Sequence, residues 1–393
     1  MDGSVAQQPV IIAGGGLVGA LTALLLARGR PDWRIRVLEP QQQGPAQDKR
    51  TIALAAATVS LLQRQGIWQA IADKASPIEH IHVSDRGHLG MTRLHAHQHG
   101  VPAMGQVIAA ATLNKALYEA CQVQDNIDWV GGAWFVRAER QPAAIQITYT
   151  VNDTEHTSSA LLLVGADGQR SQVRTDAGIT MQHTDYKQAG IIATLTLSES
   201  LQGWAYERFT ETGPIALLPL PNNQASLVWS LSPEESQRTL TSADDDFLAA
   251  CQQAFGYRAG RFLAVTDRVQ YPLQLHLADT SIAHRTVIIG NASHTLHPIA
   301  GQGFNLGVRD AIELSAKLIN ATDPGSYAIL SGYNQARQAD YKHIIGLTDS
   351  LVRGFSNHYA PLIMGRNLAL FGLDNLPPLR HVFARQTMGF RDL

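Results

Sequence analysis

The sequence has few cysteines, no long apolar run and no excess of charge of either sign. Its 393 residues contain two cysteines, Cys121 and Cys251, far apart and outside any CxxC spacing. This argues against a disulfide framework or a cysteine-bound zinc and favours a reducing compartment. The formal net charge is -2, so no basic surface for nucleic acid is expected. No stretch reaches the roughly 18 apolar residues of a membrane-spanning helix, and residues 1–9 lack a signal-peptide pattern. We therefore expect a cytoplasmic protein.

The composition suits a large packed core, and the pattern of residues changes along the chain. Hydrophobic residues make up 45% and charged residues 16%, and the length predicts about two domains. Residues 10–12, 17–28 and 34–39 are predicted as strand, helix and strand, and residues 50–64 as a further helix. Residues 191–231 alternate between turn signals, which predicts an antiparallel sheet. The expected fold class is α/β: a Rossmann-like parallel-sheet domain, an inserted antiparallel-sheet domain and a helical C-terminal region.

A glycine-rich turn lies between the first predicted strand and helix. Gly14, Gly16 and Gly19 fit the pattern GxGxxG, and Glu39 ends the next predicted strand. In this pattern the first glycine permits a tight turn, the second lets the backbone approach a pyrophosphate, and the third lets helix and strand pack closely. Glu39 can then accept hydrogen bonds from the adenosine ribose. A glycine-rich turn in an ordinary α/β protein is the alternative, and the motif alone does not separate NAD from FAD.

A second glycine-rich helix start follows a predicted buried strand near the end of the core. The stretch runs Gly-Asn-Ala-Ser-His from Gly290, continues through His297-Pro298, and ends in Gly-Gln-Gly-Phe-Asn from Gly301. A helix that begins on glycines suits an anion. Backbone N–H groups near its start can stabilise the negative charge of a reduced flavin.

This stretch resembles the second FAD motif of the para-hydroxybenzoate-hydroxylase-like (group A) flavoprotein monooxygenases. That family typically has Gly-Asp-Ala-Ala-His, then Pro, then Gly-x-Gly-x-Asn, and here Asn291 stands where its Asp meets the ribityl chain. Asp167, within Gly-Ala-Asp-Gly, is similar to the family's Asp-Gly motif, and Arg50 resembles an arginine near the flavin. The resemblance covers residues 9–320. It is closest to the hydroxylases of ubiquinone biosynthesis, particularly those that act on 2-polyprenyl-6-methoxyphenol.

The resemblance implies a cofactor, a reaction and a division of the chain. FAD would be the cofactor and NAD(P)H and O2 the co-substrates. The reaction would convert 2-polyprenyl-6-methoxyphenol to 2-polyprenyl-6-methoxy-1,4-benzoquinol through a flavin C4a-hydroperoxide. The FAD-binding domain would comprise residues 1–75, 101–180 and 275–325, the substrate domain residues 76–100 and 181–274, and the C-terminal helical region residues 326–393. The implied FAD-binding residues are Gly14, Gly16, Gly19, Glu39, Arg50, Asp167, Gly290, Asn291, Gly301, Gly303, Phe304 and Asn305.

Three residues of the second motif are candidates for the chemistry itself. Pro298 is expected beside the flavin ring, and His297 and His294 are candidates for a network that activates a phenol by removing its proton. A hydrogen bond that merely positions the loop accounts for each histidine equally well. A polyprenyl chain needs an apolar channel, and four residues of the antiparallel segment are predicted either to line it or to pack in the core: Leu217, Leu218, Leu220 and Trp229.

Several features leave alternatives open. The histidines between His80 and His99 are consistent with a metal site or with a solvated polar strand, on which His95, His97 and His99 would share a face; we expect no metal. The apolar segment 359–371 is expected to pack on the core or to dock on the inner membrane or on other ubiquinone-biosynthesis enzymes. An FAD-dependent reductase or dehydrogenase that acts on a lipid, or a non-catalytic FAD-binding scaffold subunit, remains an alternative to the monooxygenase.

Overall fold

A computed structural model describes residues 10–46, 48, 50–295, 302–355, 367, 370–372 and 374–390. One-turn 3-10 helices lie at Trp68–Ala70, Ala72–Lys74, Ala96–His99 and Gly290–Ala292. The helices are α1 (Leu17–Gly29), α2 (Ala56–Arg64), α3 (Ala110–Gln122), α4 (Gln172–Asp176), α5 (Pro233–Thr241), α6 (Asp244–Phe255), α7 (Gln302–Ile319), α8 (Tyr327–Phe355) and α9 (Pro377–Thr387). The strands are β1 (Val10–Ala13), β2 (Ile35–Glu39), β3 (Thr51–Ala55), β4 (Ser76–Ile78), β5 (His80–Asp85), β6 (Met91–His95), β7 (Gly105–Ala109), β8 (Ile127–Gly131), β9 (Ala133–Arg140), β10 (Ile145–Val151), β11 (Thr154–Ala160), β12 (Leu162–Gly165), β13 (Met181–Leu197), β14 (Trp204–Thr210), β15 (Gly213–Leu220), β16 (Gln224–Leu231), β17 (Phe262–Ala278), β18 (Ile282–Ala283), β19 (Thr286–Ile288) and β20 (His294–Thr295).

A mostly parallel sheet forms one layer, with strand order β18-β19-β12-β1-β2-β8. Its strands run parallel except for β18, which pairs antiparallel with β19 at the edge. Val10 and Ile12 of β1 pack in a core with α1, α3 and α7. Ile11 and Ala13 point the other way and pack against the three-stranded sheet of β9, β10 and β11. Both faces are therefore covered, as the uninterrupted apolar sequence of β1 requires.

An eight-stranded sheet forms the second layer, in the order β20-β17-β13-β16-β15-β14-β5-β6. Strands β13, β16 and β15 are antiparallel neighbours, as the alternation over residues 191–231 predicts. One face of the sheet packs on α6, with Ile191, Leu217, Trp229 and Phe247 in one core. The predicted α/β fold class, with a parallel sheet and an antiparallel one, is confirmed.

Two local predictions are wrong. Residues 51–55 form β3 rather than the start of a helix, because they pair antiparallel with β7, with Thr51 opposite Ala109. This pairing overrides the weak helical preference of an alanine-rich segment. The second error concerns the histidines. Strand β6 ends at His95, and the next residues form the 3-10 helix Ala96–His99, so His95, His97 and His99 do not share a strand face.

The predicted domain boundaries remain a prediction, and the pairing of strands bears on them at three places. Strands β5 and β6, within residues 76–100, join the eight-stranded sheet through β14. Strand β4 instead pairs with β7. Strand β20, within residues 275–325, pairs with β17 of the eight-stranded sheet. Among the described residues, no helix has both the length and the apolar character needed to cross a bilayer.

Candidate functional site

A cavity of about 510 Å³ brings the two glycine motifs together. Gly16, from the turn before α1, and Gly303, from the first turn of α7, both line it. The facing wall is one side of the eight-stranded sheet, with Ile192, Ala216 and Val228 among its residues. The motifs are far apart in sequence, and they meet at this cavity because α1 and α7 pack on the same face of the parallel sheet.

Close packing between α1 and the second motif depends on glycine at two positions. A Cβ at Gly307 would lie 2.7 Å from Cγ2 of Val18, and a Cβ at Gly290 would lie 3.2 Å from the same atom. Gly290 also has a φ of +59°, in the left-handed region that favours glycine. Val18 of the first motif therefore fits between Gly290 of the second motif and Gly307 of α7.

The turn before α1 is held by its glycines and by Glu39. Gly14 has a φ of +101°, and a Cβ there would collide with the backbone of Ala166, while a Cβ at Gly19 would collide with the carbonyl of Gly14. Oε2 of Glu39 accepts a hydrogen bond from the amide of Gly15 at 2.7 Å. Each carboxylate oxygen has a second lone pair, so Glu39 can hold the turn and still accept hydrogen bonds from a ribose.

Gly16 and Gly303 have a different role from the packing glycines. A Cβ added at either position would meet no atom of the described residues within 4 Å. Both positions line the cavity, so glycine there leaves room for a ligand to approach the backbone at two helix starts. Three other wall atoms are buried without a hydrogen-bond partner among the described residues: Oδ1 of Asn114, Oγ of Ser230 and Oγ1 of Thr295. Open glycine backbone and unpaired polar atoms fit a large polar cofactor such as FAD.

A buried carboxylate, Asp310, fixes the second motif to the helices behind it. Its Oδ2 accepts hydrogen bonds from the Gly290 amide at 2.8 Å and from Nε2 of His294 at 2.7 Å. Its Oδ1 accepts from Nε of Arg337 at 2.7 Å and from the Tyr341 hydroxyl at 2.8 Å. Burial by itself would raise the pKa of Asp310, but the charges of His294 and Arg337 and these hydrogen bonds hold that pKa below its usual value.

His294, a candidate for the chemistry, is placed to position the loop. Its side chain is 1% exposed and its Nε2 contacts Asp310. It does not line the cavity. This geometry favours the structural interpretation of His294, which the sequence left open. The other two candidates, His297 and Pro298, and also Gly301 of the proposed FAD contacts, lie outside the described residues.

The remaining proposed FAD contacts divide into wall residues and supports. Arg50 and Asn291 line the cavity, and Arg50 forms an ion pair with Asp48 at 2.7 Å. Asp167 lies behind the wall, where its Oδ2 accepts from the first amides of α4. The side-chain amide of Asn305 binds the β3–α2 junction, accepting from the Ala55 amide at 2.9 Å. Asn305, like Phe304, can therefore offer a ligand its backbone.

The sheet wall of the cavity is apolar because side chains alternate along its strands. Leu218 lines the cavity, whereas Leu217 and Trp229 pack in the core on the opposite face of the sheet. Leu220 packs with Leu218 at the edge of this wall. Of the four residues for which the sequence left two interpretations open, one lines the cavity and two are core. Phe383 of α9 closes part of the same space.

The structural role of Asp310 is not among the predictions from the sequence, although the sequence pattern of α7 indicates it. Leu306, Asp310 and Leu314 recur every four residues on α7 and are all fully buried. A carboxylate on the apolar stripe of a helix must have buried partners, which marks it as a structural centre. Glu207, on the cavity face of β14, was also overlooked, and its alternation with Ala205 and Phe209 could have placed it. The described residues contain no group of three or more side chains that could hold a metal ion.

Comparison with known proteins agrees with this geometry. The sequence profile of the FAD binding domain family matches residues 7–347. Ubiquinone hydroxylase UbiL of Rhodospirillum rubrum is 34% identical over 390 residues, covering 97% of this chain and 89% of the relative. The 3-demethoxyubiquinol 3-hydroxylase of Escherichia coli is 29% identical over 397 residues, covering 97% and 98%. The crystal structure of p-nitrophenol 4-monooxygenase PnpA from Pseudomonas putida superposes with a TM-score of 0.83 at 18% identity, covering 98% and 99%, which shows a common fold.

The fold and the cavity fit a flavoprotein in which one glycine-rich turn and one later helix start line the same cavity. The chain belongs to the family of FAD-dependent monooxygenases that carries this FAD binding domain. FAD is its cofactor, and NAD(P)H and O2 are the co-substrates typical of this class.

Proposed function

We propose that the protein hydroxylates the aromatic ring of a polyprenylated phenol in ubiquinone biosynthesis. The observation that carries this proposal is the cavity, which joins two glycine-lined helix starts to an apolar sheet wall. The glycine end suits a dinucleotide, and the apolar end suits a ring with a prenyl chain. The names of the two relatives, both hydroxylases of ubiquinone or its precursor, support the same substrate class.

The chain's own residues would hold FAD at both ends of the cavity. The turn through Gly16 and the N-terminus of α1 would receive the pyrophosphate, with Glu39 at the adenosine ribose. The start of α7 would receive the flavin ring, with Gly303 leaving the backbone open to it. When bound, FAD supplies the redox chemistry by which NAD(P)H and O2 deliver one oxygen atom to the ring. The C4a-hydroperoxide route remains a prediction.

The protein would contribute position and a dry environment. Asp310 holds Gly290 and His294 of the second motif in place, so this part of the site is organised before the substrate binds. The apolar wall of Ile192, Ala216 and Val228 would exclude water from the ring. Orientation of the two reactants in one enclosed space is itself a large contribution to rate.

We propose 2-polyprenyl-6-methoxyphenol as the substrate, with hydroxylation at the carbon para to its hydroxyl. A demethoxyubiquinol is a second candidate, because the relative from Escherichia coli has a name that specifies it. Quinone-intermediate profiling in a strain that lacks the protein separates the two. Accumulation of the methoxyphenol supports the first substrate, whereas accumulation of the demethoxyubiquinol reassigns the step.

The reaction class is tested by turnover of the purified holoprotein under labelled O2. We expect one labelled oxygen atom in the hydroxylated product and NAD(P)H oxidation that a prenylated phenol stimulates. A product without label would indicate the reductase or dehydrogenase alternative. Absence of any NAD(P)H oxidation that a phenol stimulates would favour the non-catalytic FAD-binding alternative.

A further inference from the structure

One carboxylate, Glu207, interrupts the apolar wall of the cavity. Cross-strand pairing places five cavity residues in one row across the sheet: Val83, Glu207, Ala216, Val228 and Ile192. Cross-strand partners share a face of the sheet. Glu207 is thus the ionisable side chain of a row whose other members are apolar.

The Glu207 carboxylate has no hydrogen bond or ion pair with any side chain or amide of the described residues. Its neighbours on the same face of β14 are Ala205 and Phe209, both apolar. Glu207 is one of the residues that line the cavity. Burial raises its pKa to about 7. An unpaired carboxylate in an apolar wall is costly for a fold, and a carboxyl with a perturbed pKa in a cleft is a candidate functional group.

The charged groups around Glu207 are few and already engaged. On β5, Asp85 lies next along the same face and binds His88 and Asn367. Across the cavity, Arg50 is paired with Asp48. Arg208, the next residue on β14, points to the opposite face, where its Nη1 donates to the Phe255 carbonyl at 2.6 Å. The residues of β15 that face Glu207 have no charge. The cavity therefore provides Glu207 with no counter-ion among the described residues, and its natural partner is a ligand that donates a proton.

We propose that Glu207 is the catalytic residue that accepts the proton of the substrate's ring hydroxyl. This inference rests on the proposed function. The phenolic O–H bond breaks, a new O–H bond forms on the carboxylate, and the electron pair stays on the phenolate oxygen. The negative charge of the phenolate raises the electron density at the ring carbon para to its oxygen. That carbon is the one that receives an oxygen atom from O2, and NAD(P)H supplies the two electrons that the reaction consumes. A base with a pKa near the working pH suits such a transfer.

The test compares holoprotein of the wild type, Glu207→Gln and Glu207→Asp, with Glu211→Gln as the matched control. Glu211 is exposed in the turn after β14 and lies outside the cavity wall. The probes are a 2-methoxyphenol with a short prenyl chain at carbon 6 and its methyl ether, which has no phenolic proton. Flavin absorbance gives the FAD content of each variant. Flavin fluorescence gives the affinity for each probe, and product formation gives kcat/KM, both between about pH 5.5 and 8.5. These limits lie roughly 1.5 units on either side of neutrality, where a group with a pKa near 7 titrates.

We expect wild-type affinity for the phenol to rise about tenfold as the pH increases through about 7, because the ionised carboxylate is the stronger acceptor. Affinity for the methyl ether should not change with pH. Glu207→Gln should keep its FAD, lose the pH dependence and lower kcat/KM by roughly 100-fold. Glu207→Asp should restore part of the pH dependence, and Glu211→Gln should behave as the wild type.

Wild-type pH dependence of both phenol binding and kcat/KM in Glu207→Gln would overturn the assignment. If the wild type hydroxylates no phenol, the proposed function fails, and the binding comparison between phenol and methyl ether still decides the role of Glu207. The two failures are therefore distinguishable.

Discussion

Replacing Gly16 with alanine tests whether the turn before α1 receives the pyrophosphate. An added Cβ would meet no described atom within 4 Å, and the backbone angles of Gly16, φ -67° and ψ -174°, are open to alanine. The apoprotein should therefore lose less than about 1 kcal/mol of stability, the scale of a changed N-cap residue. The methyl group occupies cavity space that the pyrophosphate needs.

The expected loss of FAD affinity follows from the hydrogen bonds that the methyl group displaces. A hydrogen bond to a charged group contributes about 1.5–3 kcal/mol. Loss of one such bond should raise the dissociation constant for FAD by roughly 10- to 150-fold, because about 1.4 kcal/mol corresponds to a factor of ten. Quenching of flavin fluorescence during titration of apoprotein measures this constant, and thermal unfolding of apoprotein measures stability.

Gly332→Ala is the matched control for Gly16→Ala. Gly332 lies within α8, also has no described atom within 4 Å of an added Cβ, and does not line the cavity. Alanine there should stabilise the helix by about 0.5–1 kcal/mol and leave FAD affinity unchanged. Equal FAD affinity in Gly16→Ala and the wild type would refute the reasoning, because the ligand would then not approach Gly16.

Four further outcomes follow from buried groups. Asp310→Asn should lower the free energy of unfolding by roughly 3–5 kcal/mol, because it removes a buried charge opposite Arg337; denaturant titration measures this, and a loss below about 1 kcal/mol would contradict the assigned network. The pKa of Asp310 is lowered in the fold, so its contribution is present above the unfolded value of about 3.9 and is lost as the pH falls below it; Asp310→Asn should remove that acid-dependent part. His294→Gln should reduce stability and FAD retention together while the pH profile of turnover stays as in the wild type; a changed pH profile would return His294 to the chemistry. Burial raises the pKa of the Cys121 thiol to about 12 and raises that of Cys251 as well, so a thiol reagent at neutral pH should label neither cysteine until the protein is unfolded.

The parallel-sheet part of the fold could be predicted because its signals are local. The apolar run at residues 10–12, the turn from Gly14 to Gly19 and the acid at Glu39 each have a short-range physical reason, and the structure places them in β1, the turn and the end of β2. Residues 51–55 show the opposite case. Their alanine-rich sequence favours a helix locally, and pairing with β7 makes them a strand, which no short window of sequence contains.

The candidate site could be predicted in its glycines and less well in its polar side chains. Gly16 and Gly303, two of the proposed FAD contacts, line the cavity. They could be predicted because a glycine motif marks places where a ligand approaches the backbone. The role of His294 depends on Asp310, 16 residues further along, and on two residues of α8. Glu207 faces the cavity because of the register between β14 and its neighbours. The roles of such side chains depend on contacts that exist only when the strands and helices that carry them are packed together.

One flavin held by two glycine-lined helix starts in a single cavity is the central feature of the proposed function. The most direct measurement is the flavin content of the purified chain, from visible absorbance, before and after apoprotein is titrated with FAD. We predict saturation at about one FAD per chain, and weaker binding in Gly16→Ala by the factor worked out from the lost hydrogen bond. A chain that is colourless and takes up no FAD during the titration would contradict FAD binding at these two helix starts.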